Sequence, residues 1–146
     1  MNIRTFGACV AMTSLLAAGC ASAPSDEKPT PVFDPGPSVT IAEPYNGQTV
    51  KSPFKVRFLV NGMTVAPVGT MTANTGHHHL LINLDPIPAG VVIPTDDKHL
   101  HYGQGQTEAM VTLAPGTYRL TAQFANGAHQ SYGQSMSHTI FVTVAP

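Results

Sequence analysis

Nowhere in residues 38–146 does an apolar residue recur every third or fourth position for long enough to line one face of a helix. The chain runs instead in short alternating stretches. Phe54, Val56, Phe58 and Val60 are separated by Lys55, Arg57 and Leu59, which makes a half-buried strand with one core face. Comparable runs span 39–43, 77–84 and 99–102. Others place Ala109, Val111 and Leu113, then Tyr118, Leu120, Ala122 and Phe124, then Ile140, Val142 and Val144 on one side of a pleat. Asn46 and Gly47 between the first two runs supply the positive-φ positions of a tight turn.

The pattern predicts an all-β domain over residues 39–146, an immunoglobulin-like or fibronectin-III-like sandwich of about seven short strands. A cupredoxin-like barrel is the alternative that the same pattern serves. The run TLAPGTYRL favours the sandwich, because in such domains a Leu-x-Pro-Gly turn precedes a tyrosine that hydrogen-bonds back across the corner. Tyr118 is therefore expected to be structural. Two long connections, 61–76 and 85–98, are of a length that in compact domains carries function or mobility.

The first nineteen residues read as an export signal: Arg4, an apolar run from Phe6 to Leu16, then small residues. The ending LAAGC resembles the bacterial lipobox, which implies cleavage before Cys20 and a diacylglycerol on its sulfur. By the same resemblance Ala21, not being Asp, permits export to the outer membrane, with the domain facing the periplasm and held to the membrane by its lipid. Residues 20–38 contain Pro24, Pro29, Pro31, Pro35 and Pro37 and suit a tether rising about 3 Å per residue.

Cys9 leaves with the signal and Cys20 is used by lipid, so the folded part holds no thiol. Disulfides, cysteine nucleophiles and thiolate metal sites are excluded with it. Formal net charge is −1, and past the tether the cations are only Lys51, Lys55, Arg57, Lys98 and Arg119, which gives no patch for nucleic acid.

All seven histidines fall in 77–138, five of them in HHH at 77–79 and HLH at 99–101. Residues i and i+2 of a strand share a face about 6.6 Å apart, so each His-x-His pair can turn two imidazoles onto one ion. His77 with His79 and His99 with His101 are the candidate metal ligands, and His129 in the loop NGAHQSYGQS is a fifth. Their nitrogens suit copper or zinc. His78 has the opposite parity, belongs with Leu80, Ile82 and Leu84 on the core face, and ranks behind the others as a ligand; it is expected to be satisfied by a hydrogen bond. His138 shares parity with Ile140 and reads as a residue of the core edge. Met63, Met71, Met110 and Met136 are scattered and read as packing.

The segments NGMTVAP, NTGHHHLLIN, IPTDDKHLHYGQGQTEAM and LAPGTYRLTAQFANGAH, in this order, resemble a bacterial family known only as a domain of unknown function, DUF4399. The resemblance covers residues 39–144. It implies a small exported protein with no activity to carry over, and it implies that Gly103, Gln104, Gly105, Gln106, Thr107 and Glu108 in HLHYGQGQTE belong to the histidine site or support it, Gln106 and Glu108 foremost. Read together, these features predict an envelope-tethered metal-binding domain, a copper or zinc chaperone, buffer or sensor. The alternative is a non-catalytic interaction module that meets another envelope protein, its histidines shaping a loop surface. An enzyme ranks lowest: no G-x-S-x-G elbow is present and no cysteine nucleophile.

Overall fold

The computed structural model of the protein describes residues 36–146. The signal segment and nearly all of the tether, Cys20 included, lie outside the described residues. Nine strands follow in order: β1 (Ser38–Glu43), β2 (Thr49–Lys51), β3 (Phe54–Asn61), β4 (Thr64–Val65), β5 (Thr75–Ile82), β6 (His99–Tyr102), β7 (Glu108–Val111), β8 (Gly116–Ala125) and β9 (Ser137–Ala145), with a 3-10 turn at Gln134–Met136 before the last.

They form a sandwich. One sheet has the order β1-β3-β7, and the other the order β2-β9-β8-β5, with β4 and β6 both on the far edge of β5. The first strand thus splits between sheets, β1 pairing antiparallel with β3 and β2 parallel with β9, and the hairpin β8–β9 neighbours β5. This is the immunoglobulin-like arrangement that the alternation predicted. The count rises from seven to nine because β2 and β4 are three and two residues long, too short to show a period.

The alternating residues meet where their parity puts them. Val39, Ile41, Val56 and Phe58 from one sheet face Leu80, Leu120, Ala122, Phe124, Ile140 and Val142 from the other, all at most 3% exposed. Each of these side chains other than Ala122 contributes roughly 1.5–3 kcal/mol of burial. Two bonds fix the ends of the sandwich. Tyr118 Oη donates to the Ala114 carbonyl at 3.0 Å, closing the corner before β8. His138 Nδ1 accepts the Ile41 amide at 3.2 Å, joining the two sheets at a point where the β1 register shifts.

The six-stranded sheet has a second covered face. All eight residues of β5 are buried, although a strand of a two-layer sandwich needs only one face covered. Both long connections and the β8–β9 loop fold over its outer side. Val68 N–H donates to Gly103 O, Gly69 N–H to Gly127 O, Ile93 N–H to His129 O and Ser131 N–H to Val91 O, at 2.8–2.9 Å. A small apolar cluster of Leu81, Ile93 and Ala125, flanked by Leu84 and Ile87, fills part of the space beneath them. Leu84 therefore belongs to the outer side and not to the main core, contrary to parity. Asn83 takes a left-handed φ of 57° and turns the chain over, which breaks the alternation one residue earlier.

Candidate metal centre

Parity sends His78, Leu80 and Ile82 of β5 inward and His77, His79 and Leu81 to the covered outer face. The antiparallel partners then decide which histidines meet. β6 sets His101 opposite His79 and His99 opposite Leu81, while β8 sets Gln123 opposite His79 and Ala125 opposite His77. His101 lands beside the β5 pair. His129 arrives from above on the loop after β8.

That loop is built around Asn126, whose Oδ1 accepts the amides of Ala128 and Gln130 at 2.9 and 3.0 Å. It holds His129 at φ 63°, left-handed backbone that costs a non-glycine residue of the order of 1 kcal/mol. Gly127 is required beneath it, because a Cβ there would run into the Thr70 backbone. The loops over this face are thus packed against each other, backbone to backbone.

Four imidazoles converge under these loops. One ring nitrogen from each of His77, His79, His101 and His129 lies within 4.8 Å of the other three. The Nε2 atoms of His77 and His79 are 3.0 Å apart. His77 Nδ1, His79 Nδ1, His101 Nε2 and His129 Nδ1 are buried and accept or donate no hydrogen bond within the protein. Unpaired buried polar atoms cost about 1–3 kcal/mol each, so the arrangement is expensive without something to bind.

Burial favours the neutral form of three of the rings. Desolvation, helped by the charge that His101 and His129 would carry, lowers His77 to about 4. Desolvation first, then the neighbouring imidazoles, takes His79 to about 3. His101 is lowered as well, by burial and by His129. At neutral pH His77, His79 and His101 therefore each present a lone pair, the form that ligates a metal. The group could hold a metal ion.

Of two further residues around the group, Gly103 belongs to the run that the family resemblance implies as support, and Gln123 was not anticipated from the sequence. Gln123, fully buried, donates from Nε2 to Gly133 O at 2.9 Å and to Met136 O at 3.1 Å, and its Oε1 accepts the Ile87 amide at 3.1 Å. It ties two of the covering loops to the sheet beside His79. Gly103 lies flat against His101, since a Cβ there would overlap the imidazole. Gln123 has no distinctive sequence signal, since it reads as an ordinary alternating polar position.

His99 does not join the group. It shares the outer face with His101, as parity predicts, but its Nδ1 sits 2.8 Å from Asp96 Oδ1, which also accepts the His99 and Lys98 amides. The register, offset by two residues, carries it past His79 to Leu81. His78 is buried in the core as expected, stacked at 4.8 Å on Phe58 with Phe124 edge-on at 5.0 Å. The hydrogen bond expected for it is absent, and both of its nitrogens are unpaired. Gln106 and Glu108 do not support the histidines directly: Gln106 Oε1 accepts the Gln104 amide, and Glu108 reaches Lys55 Nζ at 3.9 Å on the other sheet.

Fold and site together define the class: an immunoglobulin-like sandwich that gathers four imidazoles under loops on the outer face of one sheet. Within that class the chain belongs to the family described as Domain of unknown function (DUF4399), whose model matches residues 56–145. No curated protein and no solved structure matches it.

Proposed function

We propose that the protein is an envelope-tethered domain that binds one copper or zinc ion through His77, His79, His101 and His129, and serves as a chaperone, buffer or sensor for it. The observation that carries this reading is the convergence of four imidazoles, each with a buried ring nitrogen that has no protein partner. Nothing else in the fold repays their burial, and imidazole is a good ligand for both metals. The envelope address rests on the lipobox-like ending at Cys20 and the proline-rich segment after it.

A partner-facing role fits the same end of the molecule. Val68, Met71, Val91 and Val92 are exposed on the loops that cover the histidines, which is where a donor or acceptor of the ion would approach. The test is titration of the purified full-length chain, in detergent, with Cu(II) and Zn(II). One ion per chain with sub-micromolar affinity is expected. His79→Ala combined with His101→Ala should abolish binding, whereas His138→Ala should not. An intact chain that binds neither ion sinks the reading. A partner captured equally well with chelator and with the double variant would favour the interaction module instead.

A further inference from the structure

The six distances between the four ring centroids are 4.9 Å (His77–His79), 5.0 Å (His77–His101), 5.1 Å (His77–His129), 5.0 Å (His79–His101), 5.6 Å (His79–His129) and 4.7 Å (His101–His129). Four points with six nearly equal separations are the corners of a tetrahedron. A square would need two of the six to exceed the other four by about 40%, and here the longest, 5.6 Å, exceeds the shortest, 4.7 Å, by half of that.

The size of the tetrahedron is informative too. A metal–nitrogen bond of about 2.05 Å puts an imidazole centroid about 3.2 Å from the ion, so a tetrahedral set has centroid edges of about 5.2 Å. A square-planar set would have edges of about 4.5 Å and diagonals of about 6.4 Å by the same bond length. The observed 4.7–5.6 Å brackets the tetrahedral value and reaches neither square-planar one. The widest nitrogen separation, up to 4.8 Å, exceeds the roughly 3.3 Å of a tetrahedral ligand edge. Rotation about χ2 moves the ring nitrogens while leaving the centroids, and hence the backbone, nearly where they are.

We infer that the four imidazoles form a closed tetrahedral cage for a d10 ion, Zn(II) or Cu(I), and that the cage discriminates against the tetragonal preference of Cu(II). This rests on the metal-binding reading above and specifies its ion. Zn(II) and Cu(I) have no ligand-field preference that opposes a tetrahedron, whereas Cu(II) in nitrogen sites seeks a plane. The scaffold resists flattening. His77 and His79 are fixed to one strand at i and i+2, His101 is locked against Gly103, and His129 is held by the Asn126 loop. Four protein ligands also fill the position that a hydrolytic water would need, so the site carries an ion and does not activate water at it.

Co(II) reports the geometry without redox ambiguity. Titrated into the full-length chain in detergent, it should bind once per chain and give the intense visible d–d bands of a four-coordinate tetrahedral ion. His129→Asn, a residue that tolerates the left-handed loop position, should weaken Co(II) roughly 10-fold or more and change those bands, with the fold retained by circular dichroism. Anaerobic competition of Zn(II) against Cu(I) then identifies which d10 ion is held tighter. Weak six-coordinate Co(II) bands, or a Cu(II) complex with the spectrum of a planar four-nitrogen site, would overturn the tetrahedral cage while leaving metal binding standing. If no ion bound at all, the metal-binding reading would fail first.

Discussion

The two outer faces of the sandwich are made by the same alternation and treated in opposite ways. On the three-stranded sheet the outward residues are Glu43, Lys55, Arg57 and Glu108, and they form an open ladder: Lys55 to Glu43 at 3.3 Å, Lys55 to Glu108 at 3.9 Å, Arg57 to Glu43 at 3.4 Å. Solvent satisfies whatever these pairs do not. On the six-stranded sheet the outward residues are His77, His79, His101 and Gln123, roofed by loops and, for the two histidines of β5, fully buried. Gln123 has its side-chain amide paired there, while each of the three histidines keeps an unpaired ring nitrogen. A chain that needed just a solvated second face already shows on its other sheet how to make one, so the roofed imidazoles call for a ligand where the ladder does not.

The sharpest way to test that contrast is to load the site. An ion present at about 1,000 times its dissociation constant should raise unfolding free energy by about 4 kcal/mol, because it binds only the folded chain. Chelator should remove the whole of it, and so should His79→Ala with His101→Ala, as read by denaturant midpoints. Equal stabilisation of the double variant would place the ion elsewhere, on the charged ladder included.

Acid should act on the same face. In the folded chain burial first, then the neighbouring imidazoles, lower His78 to about 4 and His79 to about 3, against 6.5 for a free histidine. Above pH 6.5 both folded and unfolded chains are neutral there and stability is full. As pH falls the unfolded chain takes up protons that the fold refuses, so stability is lost from pH 6.5 down to about 4 at roughly 1.4 kcal/mol per pH unit for each of the two residues. His77 adds in the same direction. A metal-free chain whose urea midpoint stayed flat from pH 7 to 5 would show that these rings are not held as described.

How much of this could be read from the sequence is clearest at the two His-x-His pairs. Parity is a local property, and it correctly put His77, His79 and His101 on one face with His78 behind them. Register is not local. Whether His99 or His101 meets His79 depends on how β6 slides along β5, and Asp96 holds His99 away through two contacts of 3.0 and 2.8 Å. The supporting role implied for Gln106 and Glu108 fails for a related reason: they adjoin HLH in sequence, but the chain crosses to the other sheet at β7. Gln123 stayed invisible because its importance comes from loops that reach it from 36 and 10 residues away.

Gly103→Ala probes the roofed face more gently. The added methyl must displace the His101 ring, and a ligand moved by a fraction of a bond length should weaken the ion about 10-fold and stability by about 1–3 kcal/mol. Isothermal titration on this variant separates the two effects. Unchanged affinity would mean that His101 is not held where the geometry puts it. Tyr118→Phe is the control within the same sheet: it removes the 3.0 Å bond to Ala114 O, should cost about 1 kcal/mol, and should leave metal affinity unaltered.

The smallest effect belongs to the open ladder, and it is the one that can break the contrast from the other side. Lys55 and both of its acidic partners are about half exposed or more, at 47%, 45% and 60% for the side chains. Exposed pairs of this kind contribute about 0–1 kcal/mol and fade with salt. Lys55→Ala should therefore shift thermal stability by less than about 0.5 kcal/mol at physiological ionic strength and change metal affinity not at all. A larger loss, or one that survived 1 M salt, would mean that the charged face is organised as tightly as the roofed one. The two faces would then differ in polarity alone, and the unpaired histidines would no longer stand out as the place where the chain spends stability on a site.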